Sequence, residues 1–417
     1  MLSIRLVVAA FAAAALGLIP VPGIELGSRV AHAQDQSNAV RPEIGKPLQA
    51  ARDLMKAQKH REALGKIAEA DNVPGKTANE NYLINYMRFS AASAAGDADT
   101  AAKARDVVLA SGNVPAAAQA KLVEAMVGVY YKSKEYAKAI QLASRHLRDN
   151  GGNAQIRQLL AQAYYLNNEF AKAATEMQSM VQAEVQAGKT PSETQLQLLA
   201  TSYNRTKDNA GYASALEKLV TYYPKREYWV DLLGRVQRKS GYASRLDIDV
   251  FRLRFATGNV KTTADFMEMS QLALQAGSSA EAKKIVDQAY AAGVLGTGAE
   301  AERHKRLRDL ATKSVTEAQQ SLAQRETEAA AAKDGGPLVS VGFETVMAGR
   351  YDKGIHLMEQ GIKKGNLKYP DDAKLHLGAA YFLAGNKSRA VEVFKTVRGT
   401  DGSADLARLW VLHSARS

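Results

Sequence analysis

The chain has no cysteine among its 417 residues. That removes disulfides, thiol chemistry and a lipidated N-terminal cysteine, and it leaves export into an oxidising compartment permitted but not required. Motifs of common catalytic and nucleotide-binding sites are also missing. No glycine-rich turn ends in Gly-Lys-Ser/Thr, there is no Gly-x-Ser-x-Gly elbow, and there is no His-Glu-x-x-His. The "GTG" at 296–298 lacks a preceding strand pattern and a third glycine. Beyond the N-terminal segment the histidines are His60, His146, His304, His356, His376 and His413, scattered along the chain. Without cysteine a zinc site would need three of them, or carboxylates, to converge, so each is read as a surface or packing residue. The acidic pairs Glu326/Glu328 and Asp371/Asp372 lie in stretches expected to be exposed. The sequence therefore reads as non-enzymatic, with no metal and no cofactor.

Long apolar runs are absent too, except at the start. Arg5 precedes an apolar run from Leu6 to Ile19, and Ala31-His32-Ala33 precedes Gln34. This is the layout of a secretory signal peptide over residues 1–33. The run is shorter than the ~20 residues of a membrane span, and Pro20 and Pro22 interrupt it. The expectation is an exported protein, periplasmic in a bacterial cell, with no transmembrane segment after cleavage. Residues 34–46, with Pro42 and Pro47 around a polar stretch, are expected to be a disordered leader. The net charge of +12 is spread along the chain. Its densest cluster, Arg303-His304-Lys305-Arg306-Leu307-Arg308, has no interleaved aromatics and reads as a helix face, not a nucleic-acid surface.

What the sequence does contain is a repeat. Tyr130 and Tyr164, Ala139 and Ala173, and Ala143 and Met177 are spaced alike, at roughly 34 residues, the length of a helix–turn–helix unit. Two antiparallel helices need a small residue where their backbones approach and large ones between neighbouring pairs. The frame extends through Ala51, Leu54, Ala63 and Ile67, then Phe89, Ala92, Ala101 and Arg105. Ala200, Tyr203, Ala215 and Leu219 follow, and later Ser270, Ala273, Ala282 and Val286. Gly342, Thr345, Gly354 and Met358, then Gly378, Tyr381, Ala390 and Phe394, end the array. Two copies are poor. Leu233, Val236, Arg245 and Asp249 put polar residues in the second helix, and the segment 300–333 fits only through Ala311, Ser314 and Ala323.

These positions resemble the Gly/Ala, aromatic, Ala, large-apolar pattern of the tetratricopeptide repeat. The resemblance implies an all-α solenoid of antiparallel helix pairs: an N-terminal array over 47–258, a C-terminal array over 259–402 and a capping helix over 403–417. In that family the first helices line a concave groove. Carried over unit by unit, the groove residues are Lys121, Glu124 and Tyr131; Gln155, Gln158, Gln162 and Tyr165; and Thr194, Gln197, Thr201, Asn204 and Arg205. This amide- and tyrosine-rich set suits an extended peptide. A Lys/Asn/Arg carboxylate clamp is not reproduced. The order of segments around Trp229, Gly293, Gly336, Tyr351 and Gly361 also looks like the periplasmic repeat proteins that accompany TonB, ExbB and ExbD. That resemblance implies an accessory scaffold for energy transduction, with TonB or ExbD as partner. The alternative reading is an assembly or secretion scaffold for envelope polysaccharide or outer-membrane proteins.

Overall fold

The computed structural model describes residues 40–151 and 153–415. The signal-peptide region 1–33 and the leader as far as residue 39 lie outside them. Among the described residues there are twenty-one α-helices and no strand, and most of the helices run in antiparallel pairs. In chain order these are α1 (Pro42–Lys56) with α2 (His60–Asp71), α3 (Ala78–Ala95) with α4 (Ala98–Ala110), α5 (Ala116–Lys132) with α6 (Tyr136–Asn150), and α7 (Ala154–Leu166) with α8 (Phe170–Gln186). Next come α9 (Glu193–Arg205) with α10 (Asn209–Tyr222), then α11 (Arg226–Gln237), which a short 3-10 turn (Ser244–Leu246) joins to α12 (Asp247–Ala256). The rest are α13 (Thr263–Gln275) with α14 (Ser279–Ala291), α15 (Ala301–Gln320) and α16 (Leu322–Ala331), α17 (Gly336–Met347) with α18 (Tyr351–Lys364), α19 (Pro370–Leu383) with α20 (Lys387–Phe394), and α21 (Ser403–Ser414). The described residues divide into two compact units, with the division between 183 and 184. The boundary near 258 expected from the sequence lies inside the second.

The repeat frame has a backbone cause. At the ends of eight of the first helices, one residue takes the left-handed conformation: Gln58, Gly96, Lys134, Asn168, Lys207, Gly277, Gly349 or Gly385. The next N–H then donates back to the carbonyl of Leu54, Ala92, Tyr130, Tyr164, Tyr203, Ala273, Thr345 or Tyr381, at 2.8 to 3.1 Å. This Schellman geometry satisfies an orphan helix carbonyl and reverses the chain. The carbonyl owner is each time the aromatic or second packing position of the repeat. Nine residues further on, Ala63, Ala101, Ala139, Ala173, Ala282 and Ala390 are 0 or 1% exposed, at the crossing of the two helices. Between α17 and α18 even alanine is too large. A Cβ added to Gly342 would lie 2.7 Å from the Gly354 carbonyl oxygen, and one on Gly354 would lie 2.5 Å from that of Gly342.

In the first unit the core is a series of local clusters. Ile44, Ala51, Ile67 and Ile84 join α1, α2 and α3; Phe89, Ala101, Val108 and Met126 join α3, α4 and α5; Val127, Ala143, Ile156 and Leu160 join α5, α6 and α7. Burying each large side chain contributes about 1.5–3 kcal/mol. The leader expectation fails over 42–46, which form the first turn of α1. Ile44 is fully buried. Arg41, just before the helix, donates from its Nε and Nη2 to the two oxygens of buried Glu80 at 2.9 and 2.8 Å. Glu80 also closes a capping box with Thr77 at the start of α3, so the entry to α1 is tied to a neighbouring pair.

The second unit is not built from neighbour contacts alone. Besides covering α19 and α20, α21 packs against α10, α11 and α12, and Trp410 stacks on Phe394 with ring centroids 5.6 Å apart. Arg245 binds Asp372 at 2.7 Å, pairs with Asp401 and lies over the Tyr369 ring. Lys239 binds Asp405 at 2.7 Å, and Arg408 binds Glu217 at 2.9 Å. The polar second-helix positions Arg245 and Asp249, which looked like packing faults, join this repeat to the end of the array. The segment 300–333 departs differently. Ala311 is buried as the frame requires, but Ala323 is exposed and α15 runs without a turn from 301 to 320.

Candidate functional site

Within the first unit, successive first helices α1, α3, α5 and α7 pack on one another, whereas successive second helices make at most marginal contact. The first helices therefore sit on the inner side of this unit's curvature. Lys121 and Gln155 are exposed, and Gln158 and Tyr131 are half-buried. Gln162 and Tyr165 are each only 8% exposed.

Several of these side chains are already engaged. Glu124 accepts from Asn153 Nδ2 at 2.7 Å and lies 3.2 Å from Nε2 of buried His146. It thus ties α5 to α6 and to the residue capping α7. Tyr131 packs edge-on against Tyr136, and Tyr165 against Phe170, with centroids 5.8 and 5.4 Å apart. These are equivalent contacts in consecutive repeats, each from a first helix to the start of its second. Burial, then the neighbouring Tyr136, pushes the Tyr131 phenol above its usual range. Tyr165 is accordingly a packing residue with a small accessible edge, and Lys121, Gln155 and Gln158 are left as the polar contact row of this unit.

The second unit begins with the other group. Asn204 and Arg205 are exposed near the end of α9, and Thr194, Gln197 and Thr201 are half-buried. Gln197 Nε2 donates to Tyr228 Oη at 2.6 Å, and the Thr201 hydroxyl donates to the Gln197 carbonyl at 2.8 Å. Tyr228 in turn donates to Glu193, which also pairs with Lys225 at 2.7 Å. Burial raises the Glu193 carboxyl, but Lys225 and Tyr228 outweigh it and hold the group below its ordinary range. The network fixes α9 to α11. No sequence signal marked it, because Tyr228 and Glu193 lie 35 residues apart.

A buried charge cluster was also not foreseen. Arg252 of α12 is 7% exposed and donates to both oxygens of Glu281 in α14, at 2.9 and 2.7 Å. It donates to Asp249 Oδ1 at 2.8 Å and lies 4.4 Å over the Phe343 ring. His376 of α19 stacks on Phe343 at 5.0 Å and reaches Asp249 at 3.0 Å. Burial raises the Asp249 carboxyl, yet His376 and Arg252 outweigh it and hold the carboxyl at about 2. These contacts lock α12, α14, α17 and α19 together. Of the remaining histidines, His304 is buried and accepts from the Gly296 N–H, within the basic run expected to form an exposed face. Among the described residues no group of three or more His, Asp or Glu is placed to hold a metal ion, and no helix is long and apolar enough to cross a membrane.

No protein-family model matches the chain, and no curated protein matches it. Solved structures do. A tetratricopeptide repeat protein from Parabacteroides merdae aligns at 12% identity and a TM-score of 0.30, over 79% of this chain and 99% of that one. A structure of Naa15/Naa10 bound to HypK-THB aligns at 14% identity and a TM-score of 0.32, over 86% of this chain and 58% of that one. The APC/C hetero-tetramer Cut9-Hcn1 aligns at 11% identity and a TM-score of 0.23, over 91% and 78%. The architecture itself is all-α: an array of antiparallel helix pairs with a recurring turn.

Proposed function

We propose that this chain is a non-enzymatic scaffold that binds protein or peptide partners along the first-helix face of its first unit. The observation that carries this is the inward packing of α1, α3, α5 and α7, which presents Lys121, Gln155 and Gln158 as a row beside the accessible edge of Tyr131. Amides can bond an extended backbone, and a tyrosine adds contact area with few rotors to freeze. The signal-like N-terminus supports export, so the partners belong to the cell envelope and the working compartment is the periplasm. The resemblance to repeat proteins of TonB, ExbB and ExbD systems makes the periplasmic segments of TonB and ExbD the first partners to test.

The test is retention of those segments by the exported chain, with crosslinking in the envelope as the companion measurement. Tyr165 is too buried to be a clean probe, so the variant is Lys121→Glu with Gln155→Ala. Both positions are exposed, and helicity should be unchanged. Loss of two contacts worth about 1 kcal/mol each should weaken capture at least tenfold. Retention that survives the double change would move the site off this face. Recovery of other envelope proteins with neither TonB nor ExbD would refute the energy-transduction assignment and favour an assembly scaffold.

A further inference from the structure

Three turns of the second unit lie side by side: 332–335 between α16 and α17, 365–369 between α18 and α19, and 395–402 between α20 and α21. The Gly335 N–H donates to the Gly365 carbonyl at 2.9 Å, and Lys364 Nζ donates to the Ala330 carbonyl at 2.8 Å. The Arg398 N–H donates to Asp371 Oδ1 at 3.2 Å. The turns thus form one continuous rim.

The charge of this rim is one-sided. Lys333, Lys363, Lys364, Lys368, Lys395 and Arg398 are all exposed on it. Among the described residues none of them pairs with a carboxylate, and Lys364 and Arg398 donate to backbone carbonyls instead. The carboxylates of the rim are committed elsewhere. Asp334 and Asp401 accept the N–H groups of Gly336 and Ser403 at the starts of α17 and α21. Asp371 pairs with Lys374, and Asp372 and Asp401 hold Arg245. Toward the opposite ends of these helices Lys353 pairs with Glu326 and Arg389 with Glu392. The run that looks most basic in the sequence is better matched in the fold, where Arg303 pairs with Glu300 and Arg308 with Asp287. The rim draws its cations from three separate stretches of the chain, so no run in the sequence displays them together.

Tyr369 stands among these cations. It is the one exposed aromatic side chain of the described residues, at 42%, with the Arg245 guanidinium 3.9 Å and Lys368 Nζ 5.1 Å from its ring centroid. Lysines are compact hydrated charges on flexible stems, without the fork that grips a single carboxylate or phosphate, so a row of them answers to a spread field of negative charge. A tyrosine settles where apolar and wet regions meet. We propose that this rim binds the headgroup surface of an anionic lipid bilayer, the cations lying over the phosphates and Tyr369 entering the interface.

The probe is vesicles of equal parts phosphatidylglycerol and phosphatidylcholine, sedimented with the exported chain, against vesicles of phosphatidylcholine alone. Retention is expected on the first and not on the second. It should fall as salt rises from about 0.1 M to about 1 M, where the screening length contracts from about 10 Å to about 3 Å. Lys333→Glu with Lys368→Glu, both in exposed turns and checked by circular dichroism, reverses two charges of the rim. At about fivefold in partitioning for each elementary charge, retention should weaken at least about thirtyfold. Arg350→Glu with Lys387→Glu makes the same change of net charge at the opposite ends and should leave retention nearly unchanged. In Tyr369→Trp the added fluorescence should be quenched by brominated lipid, while Trp229 and Trp410, at 2 and 3% exposed, are shielded. Retention that survives the Lys333 and Lys368 change, or is lost equally in the Arg350 and Lys387 control, overturns the rim. Equal sedimentation on neutral vesicles, or an unquenched Tyr369→Trp, overturns the bilayer contact. Capture by immobilised polyglutamate without sedimentation on vesicles would assign the rim to an acidic protein segment and refute the lipid surface. None of these results bears on Lys121 and Gln155, so the first-unit face stands or falls separately.

Discussion

Replacing Arg252 by methionine would remove the one guanidinium between two buried carboxylates. Asp249 is 3% exposed and Glu281 is 5% exposed. Glu281 receives both of its hydrogen bonds from Arg252, so the variant leaves that carboxylate in the interior without its cation. Asp249 retains His376. Breaking a buried pair in this way costs about 3–5 kcal/mol. At about 2–4 °C per kcal/mol for units of 150–250 residues, thermal unfolding of the second unit should fall by roughly 6–20 °C. The decisive comparison is a triple variant, Arg252→Met with Glu281→Leu and Asp249→Leu, in which no uncompensated charge remains. It should regain most of the lost stability, because exchanging a buried ion cluster for apolar side chains of similar volume is often neutral or favourable. The assay is thermal and urea unfolding of the full chain followed by circular dichroism. A loss below about 1 kcal/mol for the single variant would show that water reaches the cluster. A triple variant as unstable as the single one would show that Arg252 acts through packing on Phe343 and not through charge.

Ala173→Arg should destabilise the first unit by at least about 3 kcal/mol, since a cation is forced into a fully buried helix crossing; Ala171→Arg, on the exposed face of α8, should be nearly silent in the same melt. Acid should loosen the start of the array. Arg41's hydrogen bonds outweigh burial and hold Glu80 at about 2, below its ordinary 4.5. Its contribution is therefore complete above about pH 4.5 and is lost as pH falls through about 2, so Glu80→Gln should be less stable than the parent near pH 7 and show a flatter stability profile below pH 4.5. Lys134→Gly should stabilise the α5–α6 turn by a few tenths to about 1 kcal/mol in denaturant titrations, because Lys134 occupies the left-handed region at φ 63°. An unchanged or lower midpoint would mean that the lysine turn carries no strain.

The helix pairs were legible because their cause is local. A small residue at each crossing and a turn at fixed distance from an aromatic recur in the chain order itself, so Tyr130, Ala139, Tyr164 and Ala173 show the frame before any coordinates. The failures have the opposite origin. Arg245 and Asp249 looked like faults because their partners Asp372, Asp401 and His376 lie more than a hundred residues away, beyond the reach of any periodicity. Residues 42–46 looked like a polar leader because only the fold reveals that Arg41 finds Glu80 and that Ile44 finds a core. For the candidate site, sequence spacing marks which positions fall on first helices. It does not separate Lys121 and Gln155, which remain exposed, from Glu124 and Gln197, which are spent on joining helices.

The ion pairs that join residues 217–252 to 372–408 also dictate how the second unit opens. A stack held by adjacent contacts can lose its terminal pair while the rest persists, so amide protection in the first unit should fade progressively from α1 inward. Peeling α21 from the second unit exposes Leu406, Leu409 and Trp410 and at the same moment releases Glu217 and Lys239 from Arg408 and Asp405. Helices α10 and α21 therefore share one opening reaction. Amides of α10 and α21, although far apart in the chain, should exchange hydrogen with the same free energy and respond together to Arg408→Ala. Under proteolysis the second unit should give all-or-none digestion where the first gives a ladder of nested fragments.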